Sequence, residues 1–85
     1  MKSKIEIASI IEGVLTNFSD VISWQKLNQE YQSLIALLQN DKFSHKRDCK
    51  KIQSKLMELA NIYMSIKKPK PSEQMFMSKI QTICN

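Results

Sequence analysis

The sequence is poor in the residues that build tight turns, cross-links and metal sites. It contains one glycine, two prolines, two cysteines and one histidine in 85 residues. A β-sandwich or β-barrel needs many tight turns, and no useful stretch alternates apolar and polar residues with period two, so an all-β fold is excluded. The two cysteines, Cys49 and Cys84, form no disulfide framework, and the chain offers no metal-finger spacing. We therefore expect no metal, no cofactor and reduced thiols.

Long apolar runs and enzyme motifs are also missing. No segment approaches the roughly 20 apolar residues that a membrane-spanning helix requires. Glu6 and Glu12 interrupt the apolar residues that follow the N-terminal lysines, which argues against a signal peptide. The chain has no phosphate loop, nucleophile elbow or dinucleotide fingerprint, and we expect Glu6, Glu12, Glu30 and Glu58 at solvent-facing positions. The sequence thus predicts a cytoplasmic protein that is not an enzyme and has no small-molecule substrate, with contact to a membrane surface left open.

What the sequence does contain is apolar residues at the steps of three and four that mark amphipathic helices. They predict one domain, residues 1–85, with helices over residues 3–17, 20–39, 45–67 and 72–84. Short connections between such helices predict an all-α fold, an antiparallel up-and-down four-helix bundle. The seams expected to face the core of the second and third helices are Trp24, Leu27, Tyr31, Leu34 and Leu38, then Cys49, Ile52, Leu56, Leu59, Tyr63 and Ile66.

Local signals predict how the helices begin and how they meet. The expected N-caps are Ser3 with Glu6 in a capping-box spacing, Ser19 or Asp20, Ser44 through its hydroxyl, and Ser72. Gly13 costs about 1 kcal/mol of helix propensity relative to alanine, which suggests a close approach of another helix. Ile5 and Ile10 lie off the main stripe of the first helix, so its packing is left open.

Charge is distributed unevenly along the chain. Residues 1–41 hold three lysines and five acids, a balance of −2, whereas residues 42–85 hold ten cations and three acids, a balance of +7. Such asymmetry points to an anionic partner for the C-terminal half, whether nucleic acid, an acidic protein surface or lipid headgroups.

The first candidate site is the group of cations at the start of the third helix, Lys46, Arg47, Lys50 and Lys51. Such a group is often only a solvated outer face. However, cations at a helix N-terminus oppose the helix dipole, and Asp48 alone offsets them, which favours a binding role. A nucleic-acid patch would also need stacking side chains, and Phe43 is the one nearby aromatic residue off the seam.

The second candidate site lies around the prolines that separate the last two helices. It comprises the basic residues Lys67, Lys68 and Lys70 and the apolar residues Met75, Phe76 and Met77. Met75 or Phe76, with Ile80 and Ile83, should turn inward. Because Met75 and Met77 cannot face the same way, some methionine surface should stay exposed and suit a protein partner.

His45 and Cys49 stand four residues apart and so share one helix face. A thiolate near a helix N-terminus and several lysines would have a lowered pKa. The alternative, which we prefer, is that Cys49 is a small hydrophobic residue of the seam, because no third orienting group is evident.

Over residues 24–83 the chain resembles the small cytosolic immunity proteins that protect Gram-positive bacteria from pediocin-like (class IIa) bacteriocins. The similarity lies in a helix ending near Leu38, a break containing Lys42 and Phe43, a long helix with Leu56, Leu59, Ala60 and Tyr63, then a basic turn and a short helix with Phe76 and Ile80. The resemblance implies an antiparallel four-helix bundle without enzymatic activity. It also implies that the C-terminal half governs which bacteriocin is recognised, near a membrane sugar-transporter receptor.

Three hypotheses for function remain at this stage. The first is a non-enzymatic protein-binding protein, in its specific form a bacteriocin immunity protein with the C-terminal half as its recognition surface. The second is a basic, nucleic-acid-associated regulator. The third is a small chaperone or phage-type inhibitor that binds another protein, which an exposed helix seam would favour.

Overall fold

A computed structural model describes residues 1–68 and 71–85 of the chain, with every side chain among them except those of residues 71–73. These residues form four helices and no strand. The helices are α1 (Lys4–Asn17), α2 (Trp24–Gln39), α3 (His45–Ile66) and α4 (Pro71–Gln81). The predicted all-α, antiparallel up-and-down four-helix bundle is confirmed.

The α1 helix packs against all three of the others. The α3 helix in turn packs against α2 and α4, whereas α2 and α4 make no contact with each other in the described part of the chain. Because successive helices run in opposite directions, α1 and α3 begin at the end of the bundle where α2 and α4 finish. The backbone N–H of Lys2 donates to the carbonyl of Asn85 at 3.2 Å, which joins the two chain ends there.

Each helix buries one apolar stripe, as its three- and four-residue spacing requires. At the end opposite the chain termini, the rings of Phe18 and Tyr63 pack with centroids 4.9 Å apart. The buried apolar residues of the described chain are Ile7, Ile11, Val14, Leu15, Phe18, Ile22, Leu27, Leu34, Leu38, Cys49, Ile52, Leu56, Leu59, Ala60, Tyr63, Ile80 and Ile83.

Three predicted seam residues lie outside this core. Trp24 is 62% exposed and Ile66 is 66% exposed, while Tyr31 is only half-buried. Trp24 is the first residue of α2 and Ile66 the last of α3. A seam is buried only where a facing helix covers it, and the prediction assumed cover along the full length of both helices.

The helix boundaries shift for local reasons. The α2 helix begins at Trp24, not near residue 20, because the Val21 and Ile22 N–H groups both bond to the Phe18 carbonyl in a turn. Ser23, not Ser19 or Asp20, is its N-cap, accepting the Lys26 N–H at 3.3 Å.

Two further boundary predictions concern α1 and α4. The Ser3 cap is confirmed, since its hydroxyl oxygen accepts the Glu6 N–H at 3.1 Å. The α4 helix ends at Gln81, before the predicted residue 84, because the Ile83 N–H bonds to the Ile80 carbonyl in a tighter turn. It begins at Pro71, a residue well suited to a first helical position. The predicted N-cap at Ser72 is therefore wrong, because Ser72 lies inside the helix.

The interpretation of Gly13 as a site of close helix approach is wrong. Gly13 is exposed, and apart from its chain neighbours and the backbone of its own helix, no heavy atom lies within 4 Å of the position that a Cβ would occupy there. The open question about α1 is also resolved: Ile10 packs against the core, whereas Ile5 points to solvent. In the described part of the chain, no helix has the length and apolar character needed to cross a membrane.

Candidate partner-binding surfaces

A buried carboxylate organises the start of α3. The side chain of Asp48 is 4% exposed. Its Oδ2 accepts the backbone N–H of Ser44 at 2.8 Å, and the Arg47 guanidinium donates through Nε to Oδ1 at 3.0 Å and through Nη2 to Oδ2 at 3.1 Å. The Ser44 hydroxyl makes no capping bond. The predicted hydroxyl cap is therefore wrong. Ser44 occupies the N-cap position, but its own backbone N–H donates to the Asp48 carboxylate.

The ion pair with Arg47 explains why cations can occupy this helix start. The Arg47 guanidinium, followed by the Ser44 N–H, lowers the pKa of Asp48 from 3.8 to about 2, and Lys51, 3.8 Å away, adds to the effect. The same pair raises the pKa of Arg47. A carboxylate that stays ionised next to the first turn interacts favourably with the helix dipole. Asp48 therefore offsets part of the positive charge, and the unfavourable placement is weaker evidence for function than the sequence suggests.

Lys46 and Lys50 differ from Arg47 and Lys51. Both are exposed, and neither makes an ion pair or side-chain hydrogen bond in the described part of the chain. Of the four cations in the first candidate site, these two are therefore available to an anionic partner without loss of an existing contact.

The bundle adds cations from other segments to this group. The Arg47 Nη2 also donates to the Lys42 carbonyl at 3.2 Å, and the ammonium of Lys4 lies 5.2 Å from the centroid of the Phe43 ring. The ammonium of Lys2 donates to the Thr82 carbonyl at 2.7 Å. We call this surface the basic end and define it as Lys2, Lys4, Lys42, Lys46, Arg47, Lys50 and Lys51.

A shallow depression opens on the basic end beside the α2–α3 connection. It has a volume of about 370 Å³. Three of its side chains are cationic, and one wall is the buried Asp48. Its lining residues are Leu37, Asn40, Lys42, Phe43, Arg47, Asp48 and Lys51.

The second candidate site is more buried than predicted. Phe76 and Met77 are half-buried, and together with Phe18, Tyr63 and their neighbours they line a small cavity between the end of α1, α3 and α4. Met75 is 62% exposed, so the expectation that Met75 and Met77 face different ways is confirmed.

The second site, like the first, contains a cation that forms an ion pair and a cation without one in the described part of the chain. Lys67 pairs with Asp20, and its ammonium lies 5.7 Å from the centroid of the Tyr63 ring. Lys68 is exposed and makes no ion pair within the described residues. Lys70 lies outside the described residues.

The structure does not bring the two candidate sites together. Tyr63 follows Lys50 by thirteen positions in α3, which is about 20 Å along the helix axis at 1.5 Å per residue. The first site lies where α3 begins and the second where it ends, so one small partner group cannot contact both.

The cysteine chemistry follows from burial. Cys49 is fully buried and donates its thiol proton to the Ile83 carbonyl at 3.6 Å. Burial, followed by contact with the neighbouring Cys84 thiol, raises the pKa of Cys49 to about 12. The thiolate interpretation therefore has no support, and Cys49 behaves as a core residue. The described residues contain no group of three or more His, Cys, Asp or Glu side chains that could hold a metal ion.

A groove between α1 and α2 was missed by sequence reasoning. Its volume is about 160 Å³. We call it the α1–α2 groove; its lining residues are Glu12, Leu15, Thr16, Trp24, Leu27, Asn28 and Tyr31. The sequence does contain a signal for this groove. Glu12 and Thr16 share one edge of α1, the edge that faces Trp24, and both are too polar to cover a tryptophan ring in a core.

Glu30 also departs from its expected solvent-facing position. Its side chain is 15% exposed, and its carboxylate lies 3.5 Å from the ammonium groups of both Lys26 and Lys55. It therefore joins α2 to α3 across their packed faces, a structural role.

No known family model, curated protein or solved structure matches the chain.

Proposed function

We propose that the protein is a non-enzymatic binding protein that contacts an acidic protein surface through its basic end. The observation that carries this proposal is that cations from three separate segments meet at one end of the bundle. These segments are the start of α1, the α2–α3 connection and the start of α3. Residues 1–6 and 41–51, which contain these segments, hold seven cations and three carboxylates, those of Glu6, Asp41 and Asp48. A surface with such an excess attracts an acidic partner over several ångströms and orients it on approach.

The basic end combines fixed and free cations. Arg47 is held by Asp48 on one side and by the Lys42 carbonyl on the other, so its planar guanidinium is ordered before a partner arrives. Ordering a donor in advance lowers the entropy cost of binding. Lys46 and Lys50 are free to adapt to the partner. The depression beside them is large enough to admit an acidic side chain.

An acidic protein fits better than nucleic acid because of Phe43. Binding of single-stranded nucleic acid relies on aromatic rings on which bases can stack. Phe43 is half-buried, and the ammonium of Lys4 already lies over its ring. Among the described residues it is the aromatic side chain of this end, and its burial together with the Lys4 ammonium leaves only part of the ring for stacking.

A finer form of the proposal is an immunity protein against a pediocin-like bacteriocin, acting in the cytoplasm. The four-helix antiparallel bundle supports it, because it is the fold that the resemblance implies. The same resemblance assigns recognition to the C-terminal half, to which most of the basic end belongs. The third hypothesis, a chaperone or phage-type inhibitor, gains no support from an exposed seam, since the seams of α2 and α3 are mostly buried within one chain.

Charge reversal with a matched control tests the general proposal. Lys50→Glu and Lys68→Glu change the net charge equally, and both lysines are exposed and without an ion pair in the described part of the chain. Lys50 lies near the start of α3, and Lys68 lies just beyond its end. Binding of a fluorescent polyglutamate peptide, followed by anisotropy at low salt, should weaken several-fold for Lys50→Glu and change little for Lys68→Glu. Equal losses would mean that net charge alone is responsible and would refute the basic end as the site.

A duplex DNA probe and a resistance assay separate the remaining forms. If the DNA binds more tightly than the peptide, and that binding depends on Lys50, the nucleic-acid alternative replaces the proposal. For the finer form, sensitive bacteria that express the protein are challenged with pediocin-like bacteriocins. Resistance to at least one of them is expected, with reduced protection for Lys50→Glu; no resistance to any would exclude an immunity role.

A further inference from the structure

The α1–α2 groove carries an acidic group without a partner. Glu12 is exposed at the edge of this groove and makes no ion pair or side-chain hydrogen bond within the described residues. Most other described carboxylates are engaged: Asp20 with Lys67, Glu30 with Lys26 and Lys55, Asp48 with Arg47 and Lys51, and Glu58 with Lys55.

Two aromatic side chains stand beside this carboxylate. Trp24 is largely exposed and Tyr31 is half-buried, and neither ring has a polar partner in the described part of the chain. The buried side chains of Leu15 and Leu27 complete the lining. An exposed tryptophan on a small globular domain is a large apolar surface left in water, and an interface is the usual setting in which such a ring is covered.

The chemistry of this groove selects a cation on an apolar stem. Aromatic faces attract ammonium groups, and a carboxylate adds a direct charge interaction. An anion would be repelled by Glu12. A wholly apolar ligand would remove water from the carboxylate without replacing its hydrogen bonds, which is unfavourable.

The size of the groove limits what can enter. A volume of about 160 Å³ admits one long side chain but not a helix. The charge of the lining agrees with a basic visitor, because Glu12 is the one charged residue among the residues that line the groove.

We propose that the α1–α2 groove binds a lysine side chain of a partner protein. The methylene stem packs on Leu15 and Leu27, the ammonium group contacts the rings of Trp24 and Tyr31, and the Glu12 carboxylate neutralises its charge. This site is separate from the basic end and of opposite charge, and it does not depend on the function proposed for that end.

Trp24 makes the test direct, because it is the only tryptophan in the chain. Its fluorescence is followed while the full-length protein is titrated with Nα-acetyl-lysine methylamide. The comparison probe is the same molecule acetylated at Nε, which keeps the stem and removes the charge. We expect a saturable change with the charged probe and binding weaker by about threefold or more with the neutral one. Equal binding of the two probes, or no saturable change with either, would overturn the proposal.

Two isosteric variants locate the charge. Glu12→Gln should weaken the lysine probe by about threefold or more, since the variant retains the shape of the groove and loses only the carboxylate charge. Glu6→Gln is the matched control: it removes one charge from an exposed position of the same helix, outside the groove. If Glu6→Gln weakens binding as much as Glu12→Gln, the probe responds to overall charge and the site is refuted.

Discussion

Replacing Gly13 with alanine should stabilise the protein, although the sequence suggests the opposite. Gly13 lies near the middle of α1, is exposed, and has no positive φ angle, so alanine can adopt its backbone conformation. A Cβ placed there would meet no heavy atom within 4 Å apart from its chain neighbours and the backbone of its own helix. The Gly13 carbonyl accepts a hydrogen bond from the Asn17 side chain at 2.6 Å, which the variant retains.

The magnitude follows from helix propensity alone, because no contact is lost and no cavity is filled. Glycine in a helix interior is about 0.8–1.0 kcal/mol less favourable than alanine, chiefly because it loses more backbone entropy on folding. The free energy of unfolding of Gly13→Ala should therefore rise by about 1 kcal/mol. In a domain of this size, such a change raises Tm by about 4–8 °C.

Urea unfolding followed by circular dichroism, together with a thermal scan, measures both quantities. Ser9→Ala is the matched control, because Ser9 is exposed on the same helix. The difference in helix propensity between serine and alanine is smaller than the difference between glycine and alanine. The control should gain less than Gly13→Ala. A loss of stability in Gly13→Ala would show that another chain segment approaches α1 closely at this residue and would refute the packing described for this face.

Three further predictions concern α3 and its contacts. Gln53→Ala should lower the free energy of unfolding by about 1–2 kcal/mol in urea, because the Gln53 amide donates to the Ile80 and Gln81 carbonyls at 3.0 Å each. Gln32 is exposed and makes no such hydrogen bonds in the described part of the chain, so Gln32→Ala should leave the free energy of unfolding almost unchanged. An equal loss of stability in the two variants would contradict this. Iodoacetamide should label Cys84 in the native protein and both cysteines only after unfolding, since burial raises the pKa of Cys49 to about 12; native labelling of Cys49 on the peptide map would contradict this. Because the folded pKa of Asp48 is depressed to about 2, its contribution is present above about pH 4 and lost as pH falls towards 2. The stability difference between the wild type and Asp48→Asn should narrow over that range, and a difference that is undiminished at pH 2 would be inconsistent.

The core of α3 could be predicted from the sequence because its signal is local. Cys49, Ile52 and Leu56 share one stripe by the geometry of a single helix, and any neighbour that packs there buries all three. Ile66 has the same spacing and is exposed, since the spacing gives a direction around the helix and not the extent of the facing helix. The same limit applies to Trp24.

The basic end could be predicted only in part. The cations at the start of α3 are visible in the sequence, but Lys2 and Lys4 belong to the half of the chain with negative balance. Only closure of the bundle places Lys4 over Phe43. The role of Asp48 was equally hidden, because its spacing to Ser44 does not show whether the carboxylate or the hydroxyl will bond to the helix start.

The chain has a net charge of +5, but the basic end is positive whereas the α1–α2 groove carries the negative charge of Glu12. Binding data should therefore be interpreted separately for each surface. An acidic partner at the basic end and a lysine in the α1–α2 groove would respond in opposite ways to the same change of net charge. Lys50→Glu should weaken binding of the acidic partner and leave binding of the lysine probe unchanged. Glu12→Gln should weaken binding of the lysine probe and leave binding of the acidic partner unchanged. If both variants altered both interactions, the two surfaces would be coupled through α1, the helix that packs against all the others and contributes residues to each of them.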